Sequence, residues 1–541
     1  MKMTLAGLLL CLSLGLPAAA APPVVDAPAG KLRGVESGQT HAFKGIPYAL
    51  PPTGALRWKP PLPATKWKDV RDATAYGPAC VQPKAKSGSI YAWDLGAISE
   101  DCLTLNIWTP AAAHKAPVFV WIHGGALSTG SGGEPMYDGT KFAERGIVVV
   151  SINYRLGVLG FLAHPALSAE SRRNISGNYG LMDQIAALRW VNRNIASFGG
   201  DPANVTIAGE SAGGLSVMYL MAAPAARGLF HKAIAQSAYM ISAPELRTVT
   251  YGGVAAEPVG PWLAEKMGAG DLAALRSMDA EVITNAAAGA GFFPFFVIDG
   301  RLLPRQVIDA FDRNEMPRIP MLAGFNAGEI RSLRVLASPV PADAATYEKE
   351  IRSRYADLAD RFLELYPSSD MAESVLATTR DALYGWTAER LVARQTAAGV
   401  PSFFYYFDHG YPAAEALGLH AFHAAELPYV FGTANRTPPR WPAVPSTAPD
   451  ATLSAAMTNY WAAFVRTGAP VAAGQPAWPA YGKDRAYMAF EDAPTPKTHL
   501  LPGMYEFNEQ VVCRRRAQGG IPWNWNVGLA SPPLPAEAPC N

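Results

Sequence analysis

The sequence predicts an α/β fold in which helices cover both faces of a mostly parallel central sheet. Three observations point to it. Five short runs, at 118–122, 147–152, 204–208, 319–325 and 402–407, are β-branched or aromatic and almost continuously apolar, as suits strands buried on both faces. Helix-like stretches lie between them: Leu181, Ile185, Leu188, Val191 and Ile195 recur at helical spacing, and 455–464 behaves similarly. Strands alternating with helices argue a largely parallel sheet. Pro320 falls at the start of the fourth run, where a strand tolerates it.

The N-terminus comes before any of these elements. Lys2 precedes an apolar stretch, 5–16, that is too short to span a membrane; small residues at 18–21 and then Pro22 and Pro23 follow. This is the pattern of a secretory signal peptide over residues 1–20, cut after Ala20, leaving a secreted or periplasmic chain without a membrane anchor. Cys11 leaves with the signal, so Cys80, Cys102, Cys513 and Cys540 remain as an even set. Four cysteines allow three pairings. The nearest-neighbour scheme, Cys80 with Cys102 and Cys513 with Cys540, closes two moderate loops, each stabilising by about 3 kcal/mol if unstrained.

Across 541 residues, 46 basic and 45 acidic side chains nearly cancel, so nothing suggests a nucleic-acid or polyanion partner. With 49% hydrophobic residues there is material for a large core, and no linker, repeat or low-complexity tract follows the signal. We therefore expect one elaborated domain over residues 21–541. Its long Pro- and Gly-rich loops are where substrate-shaping insertions would lie.

The chemistry starts at residues 204–220, which read as a strand, a sharp turn and a helix around Gly209-Glu210-Ser211-Ala212-Gly213. A Gly-x-Ser-x-Gly turn holds its serine in strained backbone geometry, with the hydroxyl lifted clear of the sheet and the helix N-terminus aimed at the site. The motif alone is weak; its placement between strand and helix makes it strong. Upstream, the run 118–122 leads into His123-Gly-Gly-Ala126. Glycines there let the backbone expose N–H donors, which with the N–H of Ala212 can hold the negative charge that develops on an ester carbonyl oxygen.

A serine needs a base, and in this arrangement the chain order is serine, acid, histidine. Of nine histidines, His231, His409, His420, His423 and His499 follow Ser211. His231 reads as helical and lies too close behind the nucleophile. His409 ends a strand-like run, and His499 has no recognisable context. His420 and His423 share one loop, and the residues themselves do not separate them. For the acid, Glu329 follows the 319–325 strand through a natural loop, whereas Asp299-Gly300 reads equally as a hairpin turn. Glu329 is the better choice; it would orient the imidazole and stabilise its protonated form.

At this point the chain resembles the type-B carboxylesterases, the α/β-hydrolases that include the cholinesterases and many bacterial esterases. The resemblance runs from about residue 24 to the last hundred residues. It is carried by Phe43-Lys-Gly-Ile-Pro-Tyr-Ala49, Glu100-Asp-Cys102-Leu-Thr-Leu-Asn106, His123-Gly-Gly-Ala126, Asn153-Tyr-Arg-Leu-Gly157, Asn178-Tyr-Gly-Leu-Met-Asp-Gln184, Phe198-Gly-Gly-Asp-Pro202, Gly209-Glu-Ser-Ala-Gly-Gly214 and Gln236-Ser237. The resemblance implies an α/β-hydrolase fold with large loop and helical insertions. It chooses His423 as base, because His423-Ala-Ala-Glu426-Leu-Pro carries the family's histidine and trailing glutamate. It puts Glu329 in the acid's place, although the family commonly has Asp-Glu-Gly where this chain has Gly328-Glu329-Ile330.

By the same resemblance Gly125, Ala126 and Ala212 are the oxyanion donors and Gly124 shapes their loop. Ser237 and Glu426 stand behind the acid, Cys80 pairs with Cys102 beside the gorge, and Glu100 with Arg57 and Arg155 with Asp183 form structural ion pairs. The Cys513–Cys540 bridge rests on cysteine arithmetic alone.

The expected reaction is hydrolysis of a small-molecule carboxylic ester through an acyl-enzyme on Ser211, with no metal or organic cofactor, by a monomer or homodimer. A lipase, thioesterase or amidase could use the same groups, and a binding protein of the same fold is the rival from another class. For the substrate, Trp93 is expected to pack a wall. Phe292, Phe293, Phe295 and Phe296 either line an acyl pocket or belong to the core. Arg331 and Arg334 read as solvated charges before they read as receptors for an anionic acyl group.

Overall fold

The computed structural model describes residues 22–84, 88–535 and 540, so the predicted signal segment 1–20 lies outside the described residues. Among the described residues eleven strands form one sheet. In chain order they are β1 (Val35–Ser37), β2 (Thr40–Pro47), β3 (Thr104–Pro110), β4 (Ala116–Ile122), β5 (Val148–Ile152), β6 (Gly200–Glu210), β7 (Lys232–Gln236), β8 (Met321–Asn326), β9 (Ser402–Phe407), β10 (Ala486–Phe490) and β11 (Pro494–Thr498). The spatial order is β11-β10-β9-β8-β7-β6-β4-β5-β3-β2-β1. Every pairing from β5 to β10 is parallel, and antiparallel strands finish both sides.

Alternation along each strand sends side chains to opposite faces, and two cores result. Val118, Val120 and Ile122 of β4 join the larger core, while Phe119 and Trp121 join the other. The larger core is covered by α1 (Tyr179–Asn194), α2 (Ala212–Ala222) and α3 (Trp386–Ala397); the second is covered by α4 (Ala448–Thr467). Covered on both sides, the parallel strands are apolar throughout, which is why five of them could be read directly.

Some expectations are corrected. His231 is not helical: α2 stops at Ala222, Pro224 begins a short 3₁₀ turn, and His231 leads into β7. Its Nδ1 accepts from the Val205 N–H at 3.2 Å. Pro320 lies just before β8 rather than inside it, since its ring removes a ladder donor. Strands β1–β3, β7, β10 and β11 were not anticipated. Among the described residues no helix is long and apolar enough to cross a membrane. Cys80–Cys102 and Cys513–Cys540 are both disulfide-bonded. Arg57 Nη2 lies 2.6 Å from Glu100 Oε2, and Arg155 Nη2 lies 2.7 Å from Asp183 Oδ1, as the resemblance implied.

Candidate active site

In an open parallel sheet, ligands bind beyond the carboxyl ends of the strands, and the candidate residues collect there. β6 ends at Glu210, Ser211 follows with φ 56° and ψ −121°, and α2 begins at Ala212. This left-handed conformation costs a non-glycine residue of order 1–3 kcal/mol and persists only where the surroundings enforce it. They do: the Ser211 N–H donates to Gln236 O at 3.0 Å, and Ser211 O accepts from the Leu215 N–H at 2.8 Å. A Cβ added at Gly213 would fall 2.0 Å from Ile122 O, so only glycine lets the turn approach β4.

β4 is the parallel neighbour of β6, with Ile122 opposite Gly209. The loop leaving β4 therefore emerges beside Ser211. Gly125, Ala126 and Leu127 have φ of 96°, 54° and 58°. The turn closes through Gly125 O, which accepts from the Ser128 and Thr129 N–H groups at 2.9 Å. The N–H groups of Gly125, Ala126 and Ala212 donate to no described residue, which leaves three unspent donors around the serine. His123 anchors the loop: its ring stacks on Tyr154 at 4.5 Å, its Nδ1 lies 2.9 Å from Gly124 O, and its own carbonyl accepts from Tyr154 Oη at 3.0 Å. Burial lowers the His123 pKa to about 4, so the anchor is neutral.

The acid and the histidine are brought together by backbone pairing between two distant loops. The Gly328 N–H donates to Ala421 O at 2.8 Å, and Asn326 Nδ2 donates to Phe422 O at 2.9 Å. Glu329 then starts a short helix with Oε1 accepting from the Asn326 N–H at 2.9 Å, and its Oε2 lies 2.5 Å from His423 Nδ1. Glu329 and His423 are both buried. His420 is elsewhere, half-exposed between Asp408 and Glu415. His409 is engaged by Asp450, and Asp299 caps the turn at residues 301–303 and accepts from Asn178. The geometry thus separates the two histidines that the residues alone left level.

Glu426 is also buried and holds both sides of this pairing, with Oε1 accepting from Gln236 Nε2 at 2.8 Å and Oε2 from Asn326 Nδ2 at 2.6 Å. Ser237 does not touch the acid as expected. The Glu329 oxygens are engaged by the Asn326 N–H and by His423, and Ser237 Oγ has no hydrogen-bond partner among the described residues.

Sequence reasoning missed Glu210. Its Oε1 lies 3.0 Å from His423 Nε2, an ion-pair contact rather than an aligned hydrogen bond. Its place immediately before Ser211 was the available signal. Burial raises the Glu210 carboxyl to about 8, against the attraction of His423. For His423, burial acts downward, but Glu210 and then Glu329 outweigh it and hold the imidazole at about 9. Burial likewise raises Glu426 to about 7. Two tyrosines complete the surround. Tyr91 Oη donates to His423 O at 3.0 Å, and the Tyr384 ring, carried on the π-helical turn Asp381–Gly385, sits 5.4 Å from the imidazole.

Of the expected substrate residues, Trp93 packs against the second core. Phe296 is core, against Tyr219 and Phe161; Phe293 is exposed and packs its ring on Phe295. Arg331 is paired with Glu373 at 2.6 Å, while Arg334 is solvent-exposed.

A strained serine after a central strand, a donor-bearing loop on the adjacent strand and a carboxylate–imidazole pair define an α/β-hydrolase. The family model of the carboxylesterase family matches residues 21–508. Fumonisin B1 esterase of Sphingopyxis macrogoltabida is 36% identical over 484 residues, covering 85% of each chain. Para-nitrobenzyl esterase of Bacillus subtilis (strain 168) is 37% identical over 472 residues, covering 85% of this chain and 93% of that one. A solved PNB esterase superposes with a TM-score of 0.77 at 34% identity, over 90% of this chain and 99% of that one. The chain belongs to the carboxylesterase family and is a carboxylic ester hydrolase.

Proposed function

We propose that the chain cleaves small-molecule carboxylic esters through an acyl-enzyme on Ser211, with His423 as general base and Glu329 as the group that orients it. The observation that carries this reading is the 2.5 Å contact between Glu329 Oε2 and His423 Nδ1, made beside the strained serine. It fixes the imidazole so that Nε2 is the nitrogen left for proton transfer. His423 takes the Ser211 proton as Oγ attacks the carbonyl carbon. The oxyanion is received by the N–H groups of Gly125, Ala126 and Ala212, and His423 then protonates the leaving alcohol. Water repeats the sequence to release the acid.

Among the described residues no hydrogen bond joins Ser211 Oγ to His423. Such bonds are commonly loose without substrate and tighten in the Michaelis complex. The names of the two relatives suggest fumonisin B1 and para-nitrobenzyl esters as first probes. The two disulfides also fit export to an oxidising compartment.

The test is hydrolysis of p-nitrophenyl esters by wild type and Ser211→Ala, with paraoxon labelling read by mass spectrometry. Ser211→Ala is expected to lose roughly four to six orders of magnitude in kcat. A variant keeping more than about a tenth of the wild-type rate, or an adduct on another residue, would overturn the assignment.

A further inference from the structure

A groove of about 650 Å³ runs along the outer face of α1, away from the site above. Its floor is one helical stripe, Tyr179, Met182, Ala186, Arg189 and Arg193. These positions fall at i, i+3, i+7, i+10 and i+14, and so share a face. At 1.5 Å per residue the stripe is about 21 Å long. It is apolar over its first half and cationic over its last. The facing wall comes from the 59–63 loop, where Leu62 is 46% exposed, and from the 167–175 segment, which adds Arg172 and Arg173.

The charges are unbalanced. Arg172, Arg173, Arg189 and Arg193 are exposed and form no ion pair with any described residue. The acid in the wall, Glu170, is already held by Lys59 and by Arg276 at 2.9 Å. Ser211, Glu329 and His423 do not line the groove, and α1 stands between it and the nucleophile's helix. The inner face of α1 is tied there by Gln184 Nε2, which donates to Ser216 Oγ at 3.0 Å.

We propose that this groove is a second binding site, taking an elongated amphipathic carboxylate of the kind that cleavage of a long-chain ester releases. The apolar half of the floor disfavours polyanions that are charged throughout, because their charges would be desolvated there without partners. These guanidinium groups, without ion pairs although Arg189 Nη2 donates to Ala225 O at 3.4 Å, are planar forks matched to a carboxylate. An aliphatic chain of about a dozen carbons lies within the 21 Å length. Ester hydrolysis supplies such anions, and the assignment is independent of which residues perform it.

The test is calorimetric titration of the full chain with dodecanoate, with inorganic phosphate and dodecyltrimethylammonium as probes that keep only the charge type or only the chain. Wild type is expected to bind dodecanoate at least about tenfold more tightly than either. Arg189→Glu/Arg193→Glu reverses the cationic end, and Met182→Trp fills the apolar end. Each is expected to weaken dodecanoate binding at least about tenfold while leaving kcat/KM for p-nitrophenyl acetate within about twofold. If the double variant does not fold by circular dichroism, Met182→Trp carries the test alone. No dodecanoate binding to wild type up to about 1 mM, equal binding of phosphate or the ammonium, or dodecanoate affinity unchanged in the folded variants would overturn the proposal.

Discussion

Glu210 Oε1 lies 3.0 Å from His423 Nε2, on the nitrogen that a general base turns toward its nucleophile. The imidazole is therefore held between two carboxylates, with Glu329 on Nδ1. Each negative charge stabilises the protonated ring, which is why His423 is raised although it is buried. Burial alone would push a histidine the other way. Glu210 is therefore placed to affect the pH at which His423, the proposed base, becomes neutral.

Glu210→Gln is expected to move the acidic limb of the kcat/KM profile to lower pH. The sign follows from charge. With His423 as the proposed base, activity needs its neutral form, and the limb reports its pKa in the free enzyme. Removing Glu210 removes a charge that raises that pKa, so the neutral form persists to more acid pH. Rate profiles between pH 5 and 10 check this; a limb that stays or moves upward counts against a charge role for Glu210.

Gly124→Ala is expected to lower kcat by about 10²–10³ with little change in Tm. A Cβ there would lie 2.9 Å from Glu210 O and 3.2 Å from Ser211 Cβ. The loop must shift, displacing the Gly125 and Ala126 N–H groups that we propose receive the oxyanion, a loss at least of the size seen when one such donor is removed. Steady-state kinetics and a thermal melt separate this outcome from general unfolding, which would lower both together.

Legibility in the sequence followed burial and distance along the chain. β4, β5, β6, β8 and β9 were readable within a few residues, because doubly covered parallel strands are apolar throughout. β7 was not: it is short, begins at Lys232 and follows His231, so no apolar run announces it. β11 carries two prolines on the sheet edge, Pro494 and Pro496. α4 starts before the 455–464 stretch because Thr447 caps it, accepting from the Asp450 N–H, with Pro449 in the first turn. Ser211 and its loop were visible as local motifs. The His423–Glu329 pairing joins two loops through Gly328 and Ala421, which no local pattern encodes, and the Glu210 contact is equally remote in sequence.

The Cys513–Cys540 bridge closes a 27-residue separation beyond residues 21–508, which the family model matches. Cross-linking a loop of that length restricts the unfolded chain by roughly 3–4 kcal/mol. Cys513→Ser/Cys540→Ser is therefore expected to lower Tm by several degrees while kcat/KM stays near wild type, since neither cysteine approaches Ser211 in the contacts described. Differential scanning calorimetry and p-nitrophenyl acetate kinetics measure the two; a large loss of activity at unchanged Tm would contradict this separation.

Arg155 and Asp183 form a bidentate pair with almost no exposure, 4% and 0% for the two side chains, and Arg155 Nη1 also donates to the Lys59 carbonyl at 2.9 Å. The pair ties the segment leaving β5 to α1. Removing one partner leaves a buried charge uncompensated, which costs about 3–5 kcal/mol, whereas replacing both with apolar side chains of similar volume is often close to neutral. Asp183→Asn is expected to fall in the costly class, and Arg155→Met/Asp183→Leu to recover much of the loss. The recovery should be incomplete, because the Lys59 carbonyl and the Arg155 N–H would each lose a partner. Urea unfolding of both variants decides it: a double variant less stable than Asp183→Asn would show that the pair contributes more than the desolvation of its own charges.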